Sequence, residues 1–212
     1  DFLARMSHEI RTPMNGIMGM TAIALKEDQT EERRVECLEK IRNSSQYLLS
    51  LVNDILDMSK IESGKMQLQP SKVNMKKKLM GIHDLVESRF REKQQEYTEY
   101  IALKNSWFLA DELRLCQVLV NLLGNASKYT PEGGNIRFEA VETCIDGNAS
   151  EIYFAVKDDG IGVRKEDQQR IFQNFEQVRQ KDSAYRQGTG LGLAISNRLI
   201  HMMGSNIMLE SE

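Results

Sequence analysis

The first third of the chain carries a helical repeat of apolar positions. In the opening segment, the apolar residues are spaced by three or four and share one helix face: Leu3, Met6, Ile10, Met14 and Ile17. A polar stretch at 26–30 interrupts the pattern. A seven-residue repeat then predicts a second helix with its seam at Leu38, Ile41, Ser45, Leu48, Val52, Ile55 and Ser59. Together these patterns predict a helical hairpin.

The apolar surface of this hairpin is wider than two helices can cover. Further apolar residues extend the second helix's surface beyond one seam: Leu49, Leu51, Leu56 and Ile61. Two hairpins side by side would bury this surface in a four-helix bundle, so we expect a homodimer formed through the hairpin. The alternative is a hairpin that packs only against its own chain, but the remaining sequence has the pattern of a self-contained domain.

A change of pattern near Gly64, a typical helix stop, indicates a domain boundary. We predict a dimerisation domain over 1–65 and a second domain over 66–212. In the second domain, the pattern predicts strands at Met66–Leu68, Tyr97–Ala102, Ile136–Glu142, Glu151–Lys157 and Ile207–Glu210. It predicts helices at Met75–Lys93, Asp111–Ser127 and Leu191–Met203. This order implies a helix layer on one sheet with antiparallel strands, and an α+β class for the whole chain.

His8 is the first candidate for chemistry. It lies about 200° around the helix from Met6, so it points away from the apolar face. A solvent-exposed imidazole is largely neutral at cytoplasmic pH and then carries a nucleophilic lone pair. Glu9 can accept a hydrogen bond from one ring nitrogen and leave the other free to attack. Pro13, five residues on, predicts a weak point in this helix, or else the first turn of a new one.

Two other interpretations of His8 are open at this point. His-Glu-x-x-His is a helical zinc motif, but the second ligand position here is Thr12. The two other histidines, His83 and His201, have no matching local spacing. A surface histidine without chemistry is the commoner case for a lone exposed imidazole.

The composition and charge of the chain indicate which partners and which cellular compartment to expect. The 212-residue chain has a net charge of −3, which gives no reason to expect nucleic acid or an anionic membrane as a partner. Its three cysteines are odd in number and widely separated, which favours reduced thiols in the cytoplasm. No run approaches 18 apolar residues and no signal peptide is visible, so we expect no direct membrane contact from this segment. Because the sequence begins inside a helical pattern, we expect an excised piece of a longer chain.

The predicted helix 111–127 carries polar side chains on one face. Asn121, Asn125 and Lys128 are spaced by four and three residues. Amide oxygens suit Mg²⁺ and a lysine suits phosphate, so this face could hold a metal-bound polyphosphate. Taken alone, it could equally be a solvated polar stripe.

Two glycine-rich segments follow at the ends of predicted elements. Asp158, directly after a strand, could accept a hydrogen bond from an adenine amine, while Gly160 and Gly162 allow a tight turn against a flat base. The loop 188–192 opens a helix, where backbone donors converge on phosphate. Between them, Phe172 and Phe175 could simply be local core. Neither the phosphate-loop pattern nor the dinucleotide fingerprint is present.

In their order and separation, these segments resemble the N, G1, F and G2 boxes of the histidine kinase catalytic domain. That domain belongs to the ATPase superfamily shared with gyrase, the MutL mismatch-repair protein and the ninety-kilodalton heat-shock chaperone. The segment around His8 resembles the phosphoacceptor box of sensor histidine kinases, which the other ATPases lack. The resemblance runs from Phe2 to the end of the chain. It implies a dimeric four-helix bundle followed by an α/β sandwich that binds ATP.

The resemblance also implies roles for individual residues. Mg²⁺ would reach the phosphates through Asn125 and Asn121, Lys128 would steady the phosphates, and Tyr129 would border the nucleotide. Asp158 would bind the adenine amine, and the segment 163–187 would form a lid. The remaining expected nucleotide-binding residues are Gly160, Gly162, Phe175, Gly188, Thr189, Gly190, Leu191 and Gly192.

For the reaction, the resemblance implies that His8 takes the γ-phosphoryl group of ATP with help from Glu9. The group would then pass to an aspartate of a response-regulator receiver domain, in the same polypeptide or a separate one. Thr12 would position water for dephosphorylating that receiver. The expected setting is the cytoplasmic domain of a membrane-anchored bacterial sensor. The alternative is a catalytically silent, dimeric signalling module that binds ATP.

Three features depart from the family pattern. Gln187 and Ser205 stand where many relatives have glycine. Relatives also continue into a further strand beyond the position of Glu212, and we expect that strand to cover the sheet.

Overall fold

The structure is a computed structural model that describes residues 2–145, 149–176 and 189–211, without the side chains of Phe2 and Leu3. These residues form two compact units. The first contains the residues up to Met66 together with Thr189–Leu191, and the second contains the rest from Gln67 onward. Within the described ranges, no helix has the length and apolar character needed to span a bilayer.

The first unit is the predicted helical hairpin, formed by α1 (Phe2–Ala24) and α2 (Glu31–Glu62). Thr30 caps α2, since its hydroxyl accepts a hydrogen bond from the Arg33 backbone N–H at 3.3 Å. Pro13 is buried inside α1, which continues through it. The alternative that Pro13 begins a new helix is therefore wrong.

The two faces of α2 differ in burial. Its buried residues, Cys37, Leu51 and Met58, follow a seven-residue spacing that lies one position before the predicted seam. Large apolar side chains remain exposed on the neighbouring face: Val35, Leu38, Leu49, Val52 and Leu56. The single hairpin thus exposes apolar surface that its own two helices do not bury, as predicted.

The second unit contains two sheets rather than the predicted one. Its elements are β1 (Ser71–Asn74), α3 (Met75–Glu92), β2 (Glu96–Ala102), β3 (Trp107–Ala110), α4 (Glu112–Tyr129), β4 (Asn135–Cys144), β5 (Ser150–Asp158) and α5 (Gly192–Met202). A 3₁₀ turn spans Arg170–Phe172. Strands β1 and β3 pair with each other, and the order of the second sheet is β2-β4-β5. Strand β2 runs parallel to β4, whereas β5 is antiparallel to it, so the sheet is mixed.

The main core lies between the three-stranded sheet and helices α3 and α4. Ile136, Phe138 and Ala140 alternate along β4 and are buried against both helices. The apolar face of α4 contributes Leu115, Leu119, Leu123 and Ala126 to the same core. Its opposite face is thereby turned away from the sheet.

Two predicted strands are absent from the structure. Residues 66–68 form no strand, because the Lys65 and Met66 N–H groups donate to the Lys60 carbonyl and continue the end of α2. Residues 207–210 also form no strand. Instead of pairing with a strand, the end of this segment is bonded to residues 163 and 168. Ser211 accepts hydrogen bonds from the Val163 N–H and from the Gln168 side chain.

Candidate functional site

His8 lies on α1 with 77% of its side chain exposed. Its Nδ1 atom is 3.7 Å from the Glu9 Oε1 atom, which is within ion-pair range for a protonated ring and too long for a hydrogen bond in this structure. Glu9 is more protected, with 32% of its side chain exposed. The imidazole is therefore accessible to a substrate while its neighbouring carboxylate is partly held by the protein.

A tyrosine on α2 holds that carboxylate. The Tyr47 hydroxyl donates to the Glu9 Oε2 atom at 3.4 Å. Burial, followed by the negative charge of Glu9, raises the pKa of Tyr47 to about 12, so the phenol stays protonated. Sequence reasoning missed Tyr47, since nothing local relates it to a residue 38 positions earlier.

Thr12 lies one turn after His8 and is exposed. Its hydroxyl donates to the His8 backbone carbonyl at 3.1 Å. The hydroxyl oxygen keeps lone pairs that can accept from water.

Helix α4 positions the polar face predicted for phosphate and metal. Asp111 caps its start by accepting from the Arg114 N–H at 3.0 Å, and the other oxygen of its carboxylate accepts from the Gln69 N–H at 2.8 Å. Asn121, Asn125 and Lys128 are all half-buried on α4.

Asn121 lies against the start of α5. Its side-chain N–H donates to the Ser196 hydroxyl at 2.9 Å. A Cβ atom at Gly192 would lie only 2.4 Å from the Asn121 side-chain oxygen, so a larger residue there would force the Asn121 side chain to move. The predicted Asn121 and Gly192 are thus brought together.

The C-terminal end of α4 carries Lys128 and Tyr129. The Lys128 ammonium donates to the Tyr129 hydroxyl at 3.1 Å and lies 4.7 Å from the centre of its ring. Two residues that sequence reasoning missed brace this end. Lys93 and Gln95 donate to the Ser127 carbonyl at 2.7 and 2.9 Å, as expected for donors at a helix C-terminus.

The turn after β5 packs directly on this end of α4. The Asp158 carboxylate accepts from the Gly160 N–H at 3.0 Å, and Ile161 donates to the Tyr129 carbonyl at 3.3 Å. Although Asp158 is exposed by surface area, nearby protein atoms partly desolvate its carboxylate and raise its pKa. Gly162 has a φ of +65°, which favours glycine.

The structure describes part of the segments around Phe175 and the glycine loop 188–192. Phe175 has a φ of +60°, uncommon for a bulky residue. Gly190 has a φ of +68°, and the Thr189 hydroxyl accepts from the Leu191 N–H at 3.1 Å. Gly188 and the predicted lid residues 177–187 lie outside the described residues.

The side chains of Asn121 and Asn125 have the chemistry of magnesium ligands. Asn121 and Asn125 supply neutral amide oxygens, which are hard ligands. In the described ranges, no group of three or more His, Cys, Asp or Glu side chains could hold a metal.

Comparisons with known proteins agree with this arrangement. Residues 1–64 match the family described as His Kinase A (phospho-acceptor) domain, and residues 110–212 match Histidine kinase-, DNA gyrase B-, and HSP90-like ATPase. Together the fold and the site define an ATPase-type catalytic domain that follows a phosphoacceptor hairpin. The chain belongs to the sensor histidine kinases, as a catalytic core.

Individual relatives are similar along the whole chain. The signal transduction histidine-protein kinase BarA of Escherichia coli strain K12 is 37% identical over 215 residues, covering 100% of this chain and 23% of BarA. The virulence sensor protein BvgS of Bordetella pertussis is 39% identical over 214 residues, covering 99% of this chain and 17% of BvgS. The chain thus spans about a fifth of the length of these curated relatives.

Among solved structures, full-length ShkA in complex with AMPPNP is similar, with a TM-score of 0.67 and 36% identity. The match covers 95% of this chain and 41% of ShkA.

Proposed function

We propose that the chain phosphorylates itself on His8 from ATP and passes the phosphoryl group to an aspartate of a receiver domain. This proposal rests mainly on two contacts of helix α4. Asn121 on its polar face lies against Gly192, and Tyr129 at its C-terminal end lies against the turn at Gly160. An exposed histidine beside a carboxylate lies in the same chain. A nucleotide site and a phosphate acceptor are the two parts that such a reaction requires.

In this proposal, the nucleotide binds along α4 and the two glycine segments. Asp158 accepts from the adenine amine, Tyr129 borders the nucleotide, and Lys128 offsets phosphate charge. Thr189, Gly190 and Leu191 shape the loop over the phosphates, together with Gly188 and Phe175. The similarity to ShkA, whose structure contains AMPPNP, supports a nucleoside triphosphate as the ligand.

Asn125 and Asn121 would hold Mg²⁺, which neutralises phosphate charge when bound. The Asn121 side-chain N–H donates to the Ser196 hydroxyl, which fixes the amide and leaves its oxygen beside Gly192 as the atom that would bind the ion.

The chemical step is an in-line displacement. The Nε2 lone pair of neutral His8 forms a bond to the γ-phosphorus, and the bond from that phosphorus to the β–γ bridging oxygen breaks. ADP leaves with the electron pair of that bond. The Nδ1 proton passes to the Glu9 carboxylate, whose Oε1 atom is 3.7 Å away.

In the second step, an aspartate carboxylate of a receiver domain attacks the phosphorus and the N–P bond breaks. The exposure of His8 and Thr12 on α1 leaves room for such a partner. We further propose that Thr12 positions water to hydrolyse the receiver's acyl phosphate.

The hairpin would form a homodimer through the exposed apolar positions of α2. A face this apolar is unfavourable in water, and a second copy would bury it in a four-helix bundle. We propose the boundaries 1–65 for this domain and 66–212 for the ATP-binding domain. The cytoplasmic side of a membrane-anchored bacterial sensor is the proposed setting, because ATP and reduced cysteines are found there.

The test is incubation of the chain with γ-labelled ATP and Mg²⁺. The expected label is acid-labile and alkali-stable, and it is lost in His8→Gln while ATP binding is retained. Label that survives in His8→Gln would overturn the proposal. ATP binding without any labelling of the wild type would instead indicate the silent signalling module.

A further inference from the structure

We propose that Tyr47 is a positioning residue for phosphorylation of His8, acting through Glu9. This inference rests on the proposed function. The three side chains form a chain of contacts across the hairpin, in which Glu9 lies between an imidazole on its own helix and a phenol on the other.

The two oxygens of the Glu9 carboxylate have different neighbours. Oε1 faces the His8 Nδ1 atom at 3.7 Å, and Oε2 accepts from the Tyr47 hydroxyl at 3.4 Å. Because a glutamate side chain rotates freely at a helix surface, one fixed oxygen restricts where the other can lie. The Tyr47 bond thereby keeps Oε1 beside the imidazole.

A fixed carboxylate selects a tautomer of the neutral imidazole. When Oε1 faces Nδ1, the proton is favoured on Nδ1 and the lone pair on Nε2. Only that tautomer presents a nucleophilic Nε2 to ATP and a proton to Glu9. Without the phenol, the carboxylate can leave Nδ1, and a larger share of His8 takes the other tautomer.

The environment of Tyr47 suits a permanent donor. The residue is half-buried on α2, and Glu9 and Asp54 both place negative charge near it. Burial and these charges raise the pKa of the Tyr47 hydroxyl to about 12, so it is a donor at neutral pH.

Tyr47→Phe removes the hydroxyl and keeps the ring, so the hairpin packing is preserved. We expect the rate of His8 labelling at saturating ATP to fall about three- to tenfold, with ATP affinity unchanged. Tyr153→Phe, which removes an exposed phenol on β5, is the matched control and should label at the wild-type rate.

Two further readouts separate positioning from general stability. Nitrogen NMR of the His8 ring should show the Nδ1–H tautomer in the wild type and a larger Nε2–H share in Tyr47→Phe. In a Glu9→Gln background, Tyr47→Phe should have little additional effect on the rate, as expected for residues that act together.

A wild-type rate and an unchanged tautomer in Tyr47→Phe would overturn the role of Tyr47 and leave the proposed function standing. A slower rate with an unchanged tautomer, or equal losses in both Glu9 backgrounds, would also contradict it. If the wild type itself does not label His8, the proposed function fails instead.

Discussion

The Asp158 carboxylate accepts the Gly160 N–H at 3.0 Å, and a Cβ atom at Gly160 would lie 2.6 Å from the same oxygen. It would also lie 2.7 Å from the Tyr129 backbone carbonyl. The turn after β5 and the end of α4 therefore meet at a distance that only glycine permits.

Gly160→Ala should lower both the melting temperature and ATP affinity. The added methyl group must displace backbone atoms, and such overpacking costs about 1–3 kcal/mol. Gly81→Ala is the matched control. Gly81 is exposed inside α3 with nothing within 4 Å of an added Cβ, so alanine there should raise the melting temperature. Thermal melts in which Gly160→Ala is as stable as Gly81→Ala would contradict the close contact.

Asp158→Asn should weaken ATP binding and leave the fold intact. The amide would turn a donor toward the adenine amine, at a cost of about 1–3 kcal/mol. In the wild type, affinity should also fall as the pH drops through the raised pKa of Asp158, because protonation removes the negative acceptor. Calorimetric titration is the measurement, with the exposed Asp84→Asn on α3 as control. An affinity within about threefold of wild type would refute the adenine assignment.

Leu49→Glu combined with Leu56→Glu should convert the proposed dimer to a monomer. These side chains are 63% and 52% exposed in the single chain, so charge should break the dimer without unfolding the hairpin. Asn43→Glu with Ser50→Glu adds the same charge at exposed polar positions of α2 and should remain dimeric. Sedimentation gives the mass, and the wild-type melting temperature should rise with concentration. A monomeric wild type would contradict the bundle.

Long, periodic elements could be predicted from the sequence, whereas short pairings could not. Helices α2 and α4 repeat their apolar positions over many turns, so the local pattern determines them. The strand Ser71–Asn74 has four residues and depends on its pairing with Trp107–Ala110, far along the chain. A local pattern carries no information about such a partner, which explains both the missed strands and the expectation of a single sheet.

In the candidate site, too, residues in local motifs could be predicted from the sequence, whereas residues that act through long-range contacts could not. His8 and the glycine segments have recognisable neighbours in sequence. Tyr47 and Gln95 act on residues 38 and 32 positions away, through contacts that exist only in the folded chain. Neither belongs to a local motif, so neither could be found from spacing.

Thr12→Ala should separate two activities. Labelling of His8 should stay near the wild-type rate, because Thr12 takes no proton and binds no metal in that step. Dephosphorylation of a receiver domain charged with acetyl phosphate should slow roughly tenfold to a hundredfold, the loss expected for one water-holding hydrogen bond. Thr12→Ser keeps the hydroxyl and is the control. Equal losses in both activities would indicate that Thr12 only supports the helix at Pro13.

The most direct test of the account is the identity of the phosphorylated atom. The chain, labelled with nitrogen-15 in its histidine rings, is incubated with ATP and Mg²⁺ and quenched in alkali. Phosphorus–nitrogen coupling then identifies the bonded nitrogen. We predict a single phosphoramidate on Nε2 of His8, because Glu9 lies beside Nδ1. A phosphoryl group on Nδ1, or on any residue other than His8, would contradict the account.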